Sequence, residues 1–221
     1  IDLYQLHWPE RITNTFGKRD FDSSVNDKWE ENFENVLFNL KTIISSGKVR
    51  QIGISNENPW AFMKYLELSK KKLPKTITIQ NPYSLLNRLF EIGNSEICMR
   101  EDVGLLAYSP LGFGVLSGKY LNGNMPEDSR LKLFPNLSRF SGENSMKATS
   151  MYYNISKKHD LSLTQMALSF VNSRPFVTSN IIGATKLNQL KENIESINID
   201  LSEDALKDIN EVHKLIPNPA P

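Results

Sequence analysis

Residues 47–56 read Gly47-Lys48-Val49-Arg50-Gln51-Ile52-Gly53-Ile54-Ser55-Asn56. A helix-ending glycine comes first, a buried strand over 49–54 follows, and a polar pair, Ser55-Asn56, stops it. Gly47 fits the stop because Trp29, Phe33, Val36, Leu37, Leu40, Ile43 and Ile44 recur upstream at helical spacing. Glycine takes the left-handed conformation that closes a helix without steric cost. Helix, glycine, strand and polar tip form the unit from which the rest of the chain is read.

Upstream, residues 2–6 are a short β-prone run that stops at His7-Trp8-Pro9, and 10–27 is a polar loop. Downstream, a helix fits from Pro59, an N1-type position, to the Lys70-Lys71-Lys72 run. Thr76, Ile77, Thr78 and Ile79 begin a β-branched strand over 76–80. A short helix is expected at 93–100, a fourth strand at 104–108, and a long Gly/Ser/Pro/Asn-rich segment at 109–144. Helices at 145–159 and 162–173 follow, the second opened by Ser162 with Gln165 at capping-box spacing. A fifth strand is expected at 180–183 and helices at 186–197 and 202–215. The tail Pro217-Asn218-Pro219-Ala220-Pro221 reads as frayed. Strands separated by helices imply parallel pairing, either in a (β/α)8 TIM barrel or in an open doubly wound sheet. No G-x-G-x-x-G precedes the helix before the second strand, so the Rossmann fingerprint is missing.

Composition narrows the function. Lys plus Arg is 26 against 25 for Asp plus Glu, a net charge of +1, which lacks the basic footprint of a nucleic-acid or membrane-surface protein. No apolar run approaches the roughly 20 residues needed to span a bilayer. Cys98 is the single cysteine, so no internal disulfide and no Cys-rich metal site can form, and a cytoplasmic setting fits. The opening Ile1-Asp2-Leu3 has no basic leader. A first residue that falls on a strand raises the expectation of a fragment.

In both architectures functional groups gather at the carboxyl ends of the strands. Those ends are His7, Ser55-Asn56, Gln80-Asn81, Tyr108 to Gly112, and Gly183-Ala184-Thr185. Ser, Asn and Gln can donate to and accept from a carboxamide, and a Tyr ring can stack on a flat heterocycle. Gly112, Gly114 and Gly118 let the backbone approach phosphates, and Lys119 adds charge. A nicotinamide dinucleotide would use all of these. Taken singly, each has a structural reading too: His7 as a satisfied histidine, Ser55-Asn56 as a cap, Tyr108 as core, the glycines as turns.

Their order resembles the aldo-keto reductase family. The motifs are residues 2–9 (DLYQLHWP), 47–56, 107–112 (AYSPLG), 116–120 (LSGKY), and 182–185 (IGAT) with Gln189, Glu192 and Asn193. The branch it looks most like holds bacterial Tas-like reductases and potassium-channel beta subunits. The resemblance implies an NADP-dependent oxidoreductase of the (β/α)8 type that reduces aldehydes or ketones to alcohols. His7 would orient and polarise the carbonyl. Ser55, Asn56 and Gln80 would hold the nicotinamide carboxamide, and Tyr108 would stack on its ring. Ser109, Pro110, Leu111, Gly112, Phe113 and Lys119 would wrap the pyrophosphate, with Arg130 further along the same loop. Gly183, Thr185, Gln189, Glu192 and Asn193 would surround the adenosine, and Lys186 is a candidate partner for a 2′-phosphate.

The family's catalytic Tyr, Lys and Asp precede the histidine strand, so they are expected in a missing N-terminal part. The chain would then be a single domain, 1–221, lacking three βα units of about 30 residues each. Five strands would not close a barrel, and their open edges predict a chain that is poorly soluble or molten alone, or that pairs with another copy. The competing functions are a cofactor-binding regulatory module without turnover and an inactive remnant. The loop 10–27, with Phe16 and Phe21, reads as a lid. The segment 125–144, with Arg130 and Arg139, is expected to order on cofactor binding.

Overall fold

The computed structural model describes residues 1–14 and 16–221; Thr15, inside the expected lid loop, lies outside the described residues. Five strands alternate with helices in chain order: β1 (Leu3–Leu6), α1 (Phe33–Ser45), β2 (Gln51–Ser55), α2 (Pro59–Ser69), β3 (Thr76–Pro82), α3 (Asn94–Glu101), β4 (Gly104–Tyr108), α4 (Arg130–Leu133), α5 (Glu143–Lys158), α6 (Leu163–Asn172), β5 (Val177–Asn180), α7 (Leu187–Glu195) and α8 (Glu203–Leu215). The strand order is β1-β2-β3-β4-β5 in one sheet, and the register is parallel, as in Leu6↔Ile54 and Ser55↔Gln80. This is an α/β fold consistent with an incomplete (β/α)8 barrel.

The chain divides into two compact units. Unit 1 holds Ile1–Asn81 and Phe90–Leu106, and unit 2 holds Pro82–Leu89 and Ala107–Pro221.

In unit 1, α1 buries Phe33, Leu37 and Leu40 as its 3.6-residue period requires. It starts at Phe33, so Trp29 lies before it, edge-on to Phe33 at 5.3 Å. Gly47 adopts φ +73, the left-handed stop the sequence demands. α2 opens on Pro59 behind Asn58, whose Oδ1 accepts from the Ala61 N–H at 3.2 Å. It ends at Ser69, just before the lysine run. Ile52, Ile54, Phe62, Leu66 and Ile79 form the core. The β2–β3 ladder slips between Ile52 and Gly53, which brings Gly53 opposite Thr78. A methyl group at Gly53 would overlap Thr78 Oγ1 and stand 3.0 Å from the Thr78 carbonyl oxygen. The close approach of the two strands there depends on glycine.

In unit 2, α6 is buried on all faces from Met166 to Val171. Tyr83 stacks on Phe170 at 6.1 Å and meets Phe176 edge-on at 5.4 Å. The Ser162–Gln165 capping box forms as its spacing predicts, with reciprocal bonds of 3.0 and 2.9 Å. Three expectations need correction. The fifth strand is Val177–Asn180, not 180–183; beyond it, Ile181 still donates to the Ala107 carbonyl at 2.8 Å but continues no ladder. The segment 109–144 contains α4 and 3₁₀ turns at Gly112–Ser117, Leu121–Gly123 and Ser138–Phe140. The tail is not frayed. Asn218 Oδ1 accepts from the Arg88 N–H at 2.6 Å, Ala220 is fully buried and donates to the Leu86 carbonyl, and the Pro221 carbonyl accepts from Arg139 Nε at 2.6 Å. Among the described residues no helix is long and apolar enough to cross a membrane.

Candidate functional site

In unit 1 the tips of β1, β2 and β3 are joined by hydrogen bonds. Ser55, buried at the end of β2, donates from Oγ to the Gln80 carbonyl at 2.7 Å. Asn56 turns the chain out of the strand at φ +58, a conformation Asn tolerates better than most residues. Its N–H donates to the Gln80 carbonyl at 3.0 Å, and its Nδ2 donates to the His7 carbonyl at 2.9 Å. The structure thus brings His7, Ser55, Asn56 and Gln80 into one network. His7 is exposed, with its ring 5.7 Å from that of Trp8, and Gln80 is half-buried.

The same corner holds a feature that sequence reading missed. Arg11 and Glu57 form a two-pronged ion pair, Nη1 to Oε1 at 3.0 Å and Nη2 to Oε2 at 2.6 Å. Their side chains are only 7% and 4% exposed, so these charges are out of water. The guanidinium also lies 5.2 Å from the Trp60 ring centre, a cation–π contact. The Glu57 carbonyl accepts from Asn81 Nδ2 at 2.9 Å. Burial and then the Glu57 charge push the Tyr65 hydroxyl above its usual range. The partners are 46 residues apart, and no local pattern announces them.

In unit 2 a cavity of ≈ 750 Å³ is lined by Ser109, Pro110, Leu111, Phe113, Lys119 and Arg130 from the chain after β4, and by Gly183, Thr185, Gln189, Glu192 and Asn193 around α7. Gly114, Ser117, Ser162, Thr164 and Ala184 also line it. Ser162 and Thr164 were not anticipated as lining residues, although the capping box had already located the N-terminus of α6. Of the cofactor residues expected in this unit, Tyr108, Gly112 and Lys186 are not on this wall. Gly112 is buried behind it, where a Cβ would come within 3.0 Å of Phe140 Cδ1. Tyr108 is half-buried at the end of β4. Burial raises its hydroxyl above the usual phenol range, and the charge of Arg139 and then a hydrogen bond with it partly offset this. Tyr83 is fully buried, whereas Tyr153 is exposed on α5.

The cavity walls follow from local chemistry. Ser109, Gly112, Phe113 and Gly114 have φ of +56, +52, +55 and +87, which folds the chain back sharply after β4. Glycine takes this conformation freely, but a bulky Phe does not. Phe113 is held by an edge-on contact to Phe140 at 4.8 Å and by Arg130, whose Cζ lies 4.2 Å from the ring centre. Around α7, Gln189 Oε1 accepts from the Thr185 N–H at 3.1 Å and Asn193 Nδ2 donates to the Gly183 carbonyl at 3.3 Å. Gln189 and Asn193 are four residues apart and therefore share a helix face. Glu192 accepts from Ser162 Oγ at 2.5 Å.

α7 begins behind Lys186 with no side-chain cap, which leaves helix N–H groups for an anion. Lys186 itself pairs with Asp128 at 2.9 Å, and that contact holds the Asp128 carboxyl below its usual range. Lys119, Arg130 and Thr185 also border a second hollow of ≈ 420 Å³. Two cations, uncapped amides and apolar walls suit a phosphate joined to a flat heterocycle.

The family model "Aldo/keto reductase family" matches residues 1–214. The chain is 49% identical to Protein tas of Escherichia coli (strain K12) over 100% of its length, covering 64% of that protein. It is 38% identical to an aldo-keto reductase of Babesia bovis, over 96% of this chain and 80% of that one. It is 35% identical to L-glyceraldehyde 3-phosphate reductase of Escherichia coli (strain K12), over 72% of this chain and 47% of that one.

Proposed function

Because this chain belongs to the aldo/keto reductase family, we propose that its parent protein reduces aldehydes or ketones to alcohols with NADPH, and that these 221 residues carry much of the cofactor site. The observation behind this reading is the unit 2 cavity, walled by Arg130 and by residues from the segments 109–119 and 181–193. The chain spans about 64% of the length of the first relative, so turnover is proposed for the whole protein and binding for this chain.

When bound, the nicotinamide cofactor would supply the hydride that, with one proton, turns a carbonyl into an alcohol. Lys119 and Arg130 would neutralise the pyrophosphate, and the uncapped amides of α7 would add donors without adding charge. Gln189, Glu192 and Asn193 would hold the adenosine end, with Lys186 for a 2′-phosphate once Asp128 gives it up. Ser55, Asn56 and Gln80 would fix the carboxamide, Tyr108 would stack on the ring, and His7 would hydrogen-bond the substrate oxygen. The substrate is a small carbonyl compound. β1 and β5 end the strand order, and each has one edge that no other described strand pairs; self-association through these edges is proposed, and sedimentation at several concentrations tests it.

NADPH fluorescence titration of the chain tests the binding. Saturable enhancement is expected, and Lys119→Met should weaken it about tenfold or more, the worth of a charge-assisted contact. No saturable signal from a folded sample would refute the cofactor reading. Carbonyl-dependent NADPH oxidation by the whole protein separates a reductase from a binding module without turnover.

A further inference from the structure

We propose that Arg11 is a positioning residue, which acts through Glu57 to fix where the His7 imidazole stands. This rests on the role given to His7 above. Residues 7–11 form an arch gripped at both feet by neighbouring residues of the β2–α2 junction. At one foot Asn56 Nδ2 holds the His7 carbonyl at 2.9 Å. At the other the Glu57 carboxylate holds the Arg11 guanidinium with two bonds of 3.0 and 2.6 Å. Pro9, between the feet, has a fixed φ and stiffens the span. The junction is itself immobilised. Ser55 and the Asn56 N–H bind the Gln80 carbonyl, Asn81 and Asn94 both donate to the Glu57 carbonyl, and Asn58 caps α2 and reaches Thr13 Oγ1 at 3.2 Å.

The chemistry of the pair favours orientation over stability. A buried ion pair costs desolvation at both ends, and an apolar pair of similar volume often serves folding as well or better. What the apolar pair cannot reproduce is direction. A guanidinium meeting a carboxylate with two parallel bonds fixes angle as well as distance. Cation–π contacts with Trp60 at 5.2 Å and Phe33 at 5.9 Å further hold the guanidinium in place. His7 is exposed, so its place is set through its own backbone and the arch beyond it.

The test compares the full chain with the double variant Arg11→Met/Glu57→Leu and with Arg11→Lys, which keeps the charge but not the fork. Histidine side chains are read by NMR; the sequence has three, His7, His159 and His213. In the double variant the melting temperature is expected to stay close to that of the parent, with the resonances of His159 and His213 unmoved. The His7 signal should shift or broaden, and NADPH affinity should stay within about twofold of the parent. Arg11→Lys should move the His7 signal in the same direction by less. In the whole protein kcat should fall about tenfold to a hundredfold, the scale of a small misplacement, with the cofactor KM unchanged. A folded double variant whose His7 signal matches the parent's overturns the proposal. If that variant does not fold, an unmoved His7 signal in Arg11→Lys overturns it. Failure of the parent to bind NADPH would count against the cofactor reading alone, because the His7 spectrum judges the arch independently.

Discussion

Replacing Gly53 with alanine adds one methyl group where β2 and β3 come closest. The new Cβ would overlap Thr78 Oγ1, stand 3.0 Å from the Thr78 carbonyl oxygen and 3.2 Å from Gln5 Cγ. Rotating Thr78 relieves only part of the clash, because the Thr78 carbonyl oxygen stays at 3.0 Å and a β-branched side chain has few favoured rotamers. The strands must separate or the Thr78 rotamer must strain, an overpacking cost of about 1–3 kcal/mol. Gly53 does not have positive φ, so alanine also stabilises by about 0.4–1 kcal/mol through the unfolded chain. The net loss is between about 0 and 2.6 kcal/mol, centred near about 1.3 kcal/mol. At about 2–4 °C per kcal/mol for a chain of this size, the centre of that range lowers the melting temperature by about 3–5 °C, read by circular dichroism. Gly53→Ala/Thr78→Ala should melt above Gly53→Ala, since the hydroxyl that the methyl group meets is gone. A Gly53→Ala chain that melts above the parent's temperature would show that the strands are not in the contact described.

Other outcomes follow from features far from that ladder. Ser162→Ala removes the N-terminal cap of α6 and the bond to Glu192, and should cost about 1 kcal/mol or somewhat more in urea unfolding. Burial pushes the Cys98 thiol up to about 12; a maleimide should leave it intact in the native chain at mildly alkaline pH and label it once urea unfolds the protein. Bonds from Lys158 and His159 hold the Asp208 carboxyl below its usual range. A carboxyl depressed in the folded state stabilises above its unfolded pKa and loses that contribution as the pH falls through the folded one. The gap in unfolding midpoint between the parent and Asp208→Asn should therefore be present near neutrality and close in acid below the usual carboxylate range.

Local signals were legible in the sequence and distant partners were not. Gly47 and the Ser162–Gln165 pair could be read because caps act within a turn of the helix they end or begin. The helix from Pro59 was legible for the same reason. Apart from Gly112 and Lys186, the residues expected around the adenosine and pyrophosphate do line one cavity, because they cluster in two short stretches whose turns are set by glycines and by the α7 face. The fifth strand was misplaced because Ile181-Ile182 look more strand-like than Thr178-Ser179, and only the β4 neighbour decides which residues pair. The tail was misread because three prolines in five residues suggest a chain without partners. Proline lacks only the N–H, and the Pro219 and Pro221 carbonyls find Ser145 and Arg139, 74 and 82 residues away. Arg11 and Glu57 each look like ordinary surface charges until the fold brings them together.

The division into units has a consequence for anyone who would recombine this chain. The polypeptide passes from one unit to the other three times, after Asn81, after Leu89 and after Leu106. A chimaera made at a single crossover cannot exchange the half that holds the ≈ 750 Å³ cavity while leaving the other half native. A crossover at 81/82 leaves residues 90–106 with the wrong parent, one at 106/107 leaves residues 82–89 behind, and one at 89/90 does both. Only a graft with all three junctions transplants one half whole, so gene shuffling should recover viable hybrids mainly between parents that agree at residues 82–106.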